Sequence, residues 1–291
     1  MIISANKGGL SNRLKSWVSA IKLANEKKQK YGVYWPILDS YQKNTHLLNC
    51  KFEDLFNDRY QVHIESCLNI DNINDNDSIY KSHCFYVSET DDIPNGFNTF
   101  ESNCQKQFTK TNKNNRDIDF MYNQITEKVK KEYISYFNLI TLKSELYEKV
   151  ETFSNNFCEN TVSVHIRSWN RNGELGRRSY LFQIDKFEKQ MVNKLNSNSN
   201  TNFFLTSDSS QVINHFKKLN EKSDSCFYNK IIIYPRTTTL DNSRDFPEGI
   251  QEDLIELYLL SKNKSIIGSH FSTYTEVSWW LAGCPEDITI L

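Results

Sequence analysis

The stretch TVSVHIRSWN, Thr161 to Asn170, opens as a β-strand. Val162, Val164 and Ile166 alternate with Ser163 and His165, the period of two that a strand imposes. It then ends in Arg167 and a polar run. Three branched hydrophobes imply a buried strand, and ligands in open α/β sheets collect beyond the carboxyl ends of the strands. A guanidinium at that edge can grip phosphate oxygens with a bidentate fork. A salt bridge that fastens a loop is the plainer reading of the same residue.

Downstream the pattern repeats. A helix is expected over about Ile184 to Leu195, and the polar NSNSNTN reads as a link. Strand FFLTSD, helix SQVINHFKKL, strand KIIIYP, helix GIQEDLIELYLLSKN, strand SIIGS and helix STYTEVSWWLAG follow in order. Alternating β and α segments argue for a parallel, Rossmann-like sheet. The chain also begins this way. MIISA is extended, NKGG is a turn, and Leu10, Leu14, Trp17, Val18, Ile21 and Leu23 mark one face of a helix before strand GVYWPI. Between these halves the pattern weakens. QVHI and HCFYV read as short strands, NIDNINDNDS as a surface loop, and residues 120–153 as helical. The acid pair in DNDS has the look of a metal site in sugar transferases, but an asparagine-rich solvated turn is the stronger reading. The 291 residues suit two domains at roughly 150 residues each, expected as 1–157 and 158–291.

The totals exclude several classes. With 35 basic and 36 acidic residues there is no global field for nucleic acid or membranes, so anion recognition must be local. The seven cysteines (Cys50, Cys67, Cys84, Cys104, Cys158, Cys226 and Cys284) form no CxxC pair, which predicts reduced thiols and no zinc site. No basic-then-apolar leader opens the sequence, and no apolar run reaches the roughly 18 residues that a membrane span needs. The expected location is cytoplasmic.

Four segments fall at strand ends: KGGLSNR, HIRSWNRNGE, TSDSS and GSHFST. KGGLSNR is neither a GxGxxG nor a Walker loop. Its glycines, Gly9 among them, allow close backbone approach ahead of a helix N-terminus. A tight turn explains them equally well, and Asn12 and Arg13 raise the functional reading. His165, two residues before Arg167, points to the same side, although a lone histidine is more often a core residue. Asp208 stands at a strand end among hydroxyls, where N-capping competes. Ser269, Ser272 and Thr273, after Gly268, suit a diphosphate or a cap. Trp279 and Trp280 read as core or domain interface.

In their order along the chain, GGLSNRL, VHIRSWNRNGE, FFLTSD and DLIELYLLSKNKSIIGSHFSTYTEVS resemble the fucosyltransferase superfamily of α1,6-, nodulation and protein O-fucosyltransferases. That resemblance implies a GT-B fold, two Rossmann-like domains facing across a cleft. The first would be an acceptor-side domain and the second a nucleotide-sugar-binding domain, with GDP-fucose as donor substrate and neither metal nor cofactor. Arg167 matches the arginine that grips the donor diphosphate, with His165 beside it. Asp253 matches a helix aspartate that contacts the donor, Ser269, Ser272 and Thr273 match phosphate contacts, and Asp208 matches an acidic position near the nucleoside. Asn12, with Gly9, matches the turn at the domain interface. One departure stands out: Ser168 and Trp169 follow Arg167 where the α1,6 branch has a second arginine, so Arg171, Arg177 or Arg178 would have to replace it. Glu174 is the nearest candidate for the acceptor-activating carboxylate.

These matches imply an inverting, metal-independent transfer to a hydroxyl of a glycan or another acceptor. Arg167 and helix amides would stabilise the leaving diphosphate, and Glu174 would take the proton, with Glu89 or Asp92 of ETDD as alternatives. Three further readings stay open. The same fold could use another nucleotide sugar, such as a rhamnose or mannose donor. A non-catalytic nucleotide-sugar-binding module could keep the same site. An NAD-linked Rossmann enzyme ranks last, because no GxGxxG follows a strand.

Overall fold

In the computed structural model, which describes residues 1–37, 48–57, 79–80, 85, 126–168, 184–269 and 272–291, the amino-terminal pattern folds as its periodicity implies. Strand β1 (Ile2–Ser4) leads into helix α1 (Leu10–Glu26), and β2 (Tyr31–Val33) returns parallel to β1 with Ile2 opposite Tyr31. A third parallel strand, β3 (Ile79–Tyr80), takes the other side of β1, giving the order β2-β1-β3. The three- and four-residue spacing of α1 buries Leu14, Trp17, Val18 and Ile21. Trp17 joins Trp35, Phe52 and Phe56 in an aromatic cluster whose ring centroids lie 5.3 to 5.8 Å apart.

Residues 120–153, read as helical, contain two helices among their described residues: α2 (Glu127–Phe137) and α3 (Ser144–Ser154). The break has a physical cause. Leu142 bridges antiparallel to Phe56, and Thr141 O accepts from Asn57 N, pairing that extended backbone supplies and a helix cannot.

The carboxyl-terminal half runs β4 (Thr161–Ile166), α4 (Ile184–Ser197), β5 (Asn202–Ser207), α5 (Ser210–Glu221), β6 (Ile231–Ile232), α6 (Pro247–Leu260), β7 (Ser265–Gly268), α7 (Thr273–Leu281) and β8 (Asp287–Ile290). Sequence reading missed β8. All pairings are parallel in the order β6-β5-β4-β7-β8. Counted within this sheet, that is 3-2-1-4-5, the doubly wound order, which reverses between β4 and β7. Val162, Val164 and Ile166 pack with Phe187, Met191, Phe203, Leu205 and Phe216. The polar alternates are buried as well. Ser163 Oγ donates to Leu260 O at 2.7 Å, and Asn263 Nδ2 donates to Ser163 Oγ at 3.0 Å. Both faces of β4 are thus covered, as parallel sheets require. Trp279 and Trp280 are buried.

The chain divides into two compact units. One comprises Met1–Arg116, Phe120–Ser144 and Arg244–Ile250; the other is chiefly Glu145–Ser243 and Gln251–Leu291. One passage between the two falls at Ser144–Glu145, at the start of α3. The reason is aromatic: Phe153, on α3, and Phe157 lie 6.1 and 5.0 Å from Phe204 of β5, so α3 belongs with the second sheet. No helix among the described residues is long and apolar enough to cross a membrane.

Candidate functional site

Register decides what meets at the carboxyl end of the second sheet. Ile166 lies opposite Ser207, and His165 lies opposite Gly268. The residues that follow, Arg167, Asp208 and Ser269, therefore converge where the strand order reverses, the position at which doubly wound sheets bind ligands. Arg167 Nη1 donates to Asp208 Oδ2 at 2.6 Å, and Ser168 N donates to Asp208 Oδ1 at 2.7 Å. Both oxygens of Asp208 thus hold β4's outgoing chain, a task that the expected contact with a nucleoside did not include. The Arg167 side chain stays 15% exposed and that of Asp208 9%.

Ser269 ties the third strand end to the first. Its Oγ accepts from Arg167 N at 2.7 Å and donates to His165 O at 3.3 Å. A hydroxyl has one proton, so in this arrangement Ser269 orients Arg167 instead of offering an O–H to phosphate. His165 lies in the core with Nδ1 2.7 Å from Thr275 Oγ1 and its ring 4.8 Å from that of Tyr274. Burial pushes its pKa down to about 3; Asp208 opposes the fall and Arg167 adds to it. The imidazole is therefore neutral at physiological pH and brings no positive charge to an anion.

Thr275 also explains Gly268. A Cβ at residue 268 would stand 2.1 Å from Thr275 Cγ2, so only glycine lets β7 pass this close to α7. Ser272 is the N-cap of α7, its side chain accepting from Thr275 N at 3.5 Å, and Thr273 opens the helix half-buried. Asp253, on α6, meets Arg236 Nη2 at 2.9 Å and Ser243 Oγ at 3.2 Å, and its backbone carbonyl accepts from Tyr274 OH. His165, Arg167, Asp208, Asp253, Ser269, Ser272 and Thr273 thus belong to one connected region of the second unit.

Gly9 and Asn12 belong to the first unit. Gly9 is the N-cap of α1 without a capping side chain, and Asn12 Oδ1 is buried with no partner among the described residues. Arg13 holds the turn: Nε donates to Gly8 O and Nη1 to Pro36 O, both at 2.8 Å, while the guanidinium stacks on Trp35. Burial, and then Arg244, lowers its pKa to about 9. Trp169, Arg171, Glu174, Arg177, Arg178, Glu89, Asp92 and the DNDS turn lie outside the described residues.

Sequence reading missed Arg236, Glu252, Glu256 and Thr275. The acids had a visible signal, because positions 252, 253 and 256 fall close together on a helix. The arginine that gathers them did not, since it stands in the loop after β6. Among the described residues, no group of three or more His, Cys, Asp or Glu side chains could hold a metal ion.

No protein-family model matches the sequence, and no curated protein matches it. Solved structures do. NodZ alpha-1,6-fucosyltransferase soaked with GDP-fucose matches at 16% identity and a TM-score of 0.51, over 96% of this chain and 91% of that one. A mutant of Arabidopsis thaliana FUT1 in complex with GDP matches at 12% and 0.56, over 99% and 69%. POFUT1 in complex with GDP-fucose matches at 13% and 0.51, over 100% and 97%. The likeness is one of fold: the chain has the α/β fold with parallel sheets of these GT-B proteins.

Proposed function

We propose that this chain is an inverting, metal-independent glycosyltransferase that moves fucose from GDP-fucose to a hydroxyl of a glycan or another acceptor. The observation that carries the reading is a partly exposed guanidinium, Arg167, fixed by Asp208 at the reversal point of a 3-2-1-4-5 parallel sheet. Its support is the fold shared with proteins solved with GDP and GDP-fucose.

The chemistry follows from charge. As the acceptor oxygen bonds to the anomeric carbon and the bond to GDP breaks, negative charge grows on the diphosphate through an oxocarbenium-like state. Arg167 and the amides opening α7 stabilise that charge without having to reorganise. Asp208 holds the guanidinium in place, Asp253, Ser272 and Thr273 contact the donor, and Ser269 and His165 position the β4 end from behind. Glu174 receives the acceptor's proton. Transfer then survives chelation of divalent metal.

The test pairs nucleotide binding with turnover. GDP is expected to raise the melting temperature more than UDP or dTDP, and GDP-fucose to be slowly hydrolysed when no acceptor is present. A charge-assisted hydrogen bond is worth about 1.5 to 3 kcal/mol, so Arg167→Ala loses at least about tenfold in turnover. Glu174→Gln keeps GDP binding and loses transfer. Stronger stabilisation by UDP or dTDP points to another donor, and GDP binding with neither hydrolysis nor transfer points to a binding module.

A further inference from the structure

A second concentration of buried charge stands behind Asp253. Arg236, in the loop after β6, directs Nη1 to Glu256 Oε2 at 2.7 Å, Nη2 to Asp253 Oδ1 at 2.9 Å, and Nε toward Glu252 Oε2 at 3.4 Å. Glu252 in turn accepts from Thr237 N at 2.6 Å, from Thr237 Oγ1 at 2.7 Å and from Thr238 N at 3.2 Å, as well as from the Thr238 hydroxyl. One guanidinium and one carboxylate therefore pin the loop to α6 at several points.

Exposure separates the members. The side chains of Arg236, Glu252 and Glu256 are 8%, 9% and 6% exposed, whereas Asp253 is 22% exposed. Asp253 is the most exposed of the three carboxylates, and its second oxygen, Oδ2, accepts from Ser243 Oγ at 3.2 Å. Stability does not account for such an arrangement, because well-packed apolar residues in place of a buried ion cluster are often neutral or better. An orienting role does account for it. A carboxylate on a free rotor would have to be ordered when it binds a ligand, whereas this one is already held.

We propose that Arg236 is a positioning residue for donor binding: with Glu252 and Glu256 behind it, it fixes the Asp253 carboxylate to accept the O–H or N–H groups of the donor's nucleoside. This rests on the nucleotide-sugar reading above. Arg236 acts through Asp253, so its removal shows in donor affinity rather than in the rate at saturation.

The experiment measures GDP affinity by calorimetry, and KM and kcat for GDP-fucose, in wild type, Arg236→Met, Arg236→Lys, Asp253→Asn and the Arg236→Met/Asp253→Asn double variant. Arg236→Met is expected to raise the GDP Kd and the donor KM at least tenfold while kcat changes less than threefold. In the Asp253→Asn background the same change shifts Kd less than threefold, because residues acting through one contact are not additive. Arg236→Lys falls between, since an ammonium cannot reproduce the fork. Should Arg236→Met fail to fold, Arg236→Lys carries the same comparison. A folded Arg236 variant with unchanged Kd, or effects that multiply with those of Asp253→Asn, overturns the inference alone. Wild-type protein that binds no nucleoside diphosphate overturns the donor reading and this inference together.

Discussion

Arg167 stands one step beyond the β4 register and Asp208 one step beyond that of β5, so backbone pairing alone brings cation and anion within 2.6 Å. Both side chains are largely buried, which makes the pair costly to break and cheap to replace. Asp208→Asn removes the charge that faces the guanidinium and weakens the acceptor that Ser168 N bonds. It is expected to destabilise the protein by about 3 kcal/mol. Replacing both partners, as in Arg167→Met/Asp208→Leu, should recover much of that loss while turnover falls at least about tenfold, as expected for loss of Arg167. Chemical denaturation of the three proteins, read beside turnover, separates the two contributions. A double variant as unstable as Asp208→Asn would show that the pair itself holds the fold.

Between elements, the contact that sets the geometry is β7 against α7 at Gly268. Gly268→Ala forces a methyl group onto Thr275 Cγ2 and disturbs the Thr275 hydroxyl that meets His165. Overpacking of this kind costs about 1 to 3 kcal/mol. Thr275→Ser deletes the clashing methyl and keeps the hydroxyl, so adding it to Gly268→Ala should return part of the stability. The Oγ and Cβ at 2.9 and 3.1 Å keep that rescue incomplete. Thermal unfolding of the two single variants and the double variant would show the coupling, and strictly additive losses would refute the contact. The same junction marks how far sequence carries. Period-two and period-3.6 patterns located β4, β5, β7 and the helices between them, because those patterns report burial directly. Ser163 was legible as a strand residue but not as core, whereas for His165 the core was already the commoner reading; what covers the two was not legible. Their burial depends on α6 and α7, some hundred positions onward. The Arg236 cluster was hidden for the same reason, since its loop cation is 16 to 20 positions from its acids.

At the scale of the whole molecule, two buried groups with opposite shifts shape stability against pH. His165 has its pKa lowered from 6.5 to about 3 by burial. The unfolded chain therefore binds the proton first, and stability is lost as pH falls from about 6.5 toward 3. Glu256 has its pKa raised from 4.5 to about 8, because burial and the carboxylates of Asp253 and Glu252 outweigh the attraction of Arg236. There the folded chain holds the proton more tightly, so stability is lost as pH climbs from about 4.5 to 8. The two slopes oppose each other between about pH 4.5 and 6.5, which predicts a plateau there and a decline on either side. Glu252 steepens the acid limb. Burial raises its pKa, but hydrogen bonds from Thr238 and Thr237, together with Arg236, outweigh that and leave it below the ordinary value. Substitution isolates each slope. His165→Gln should keep gaining stability as pH falls to about 4.5, whereas Glu256→Gln should reach its maximum only above about pH 6.5. Melting temperatures across pH 4 to 8 for the three proteins would decide the matter, and identical profiles would show that neither group titrates in the folded core as its surroundings require.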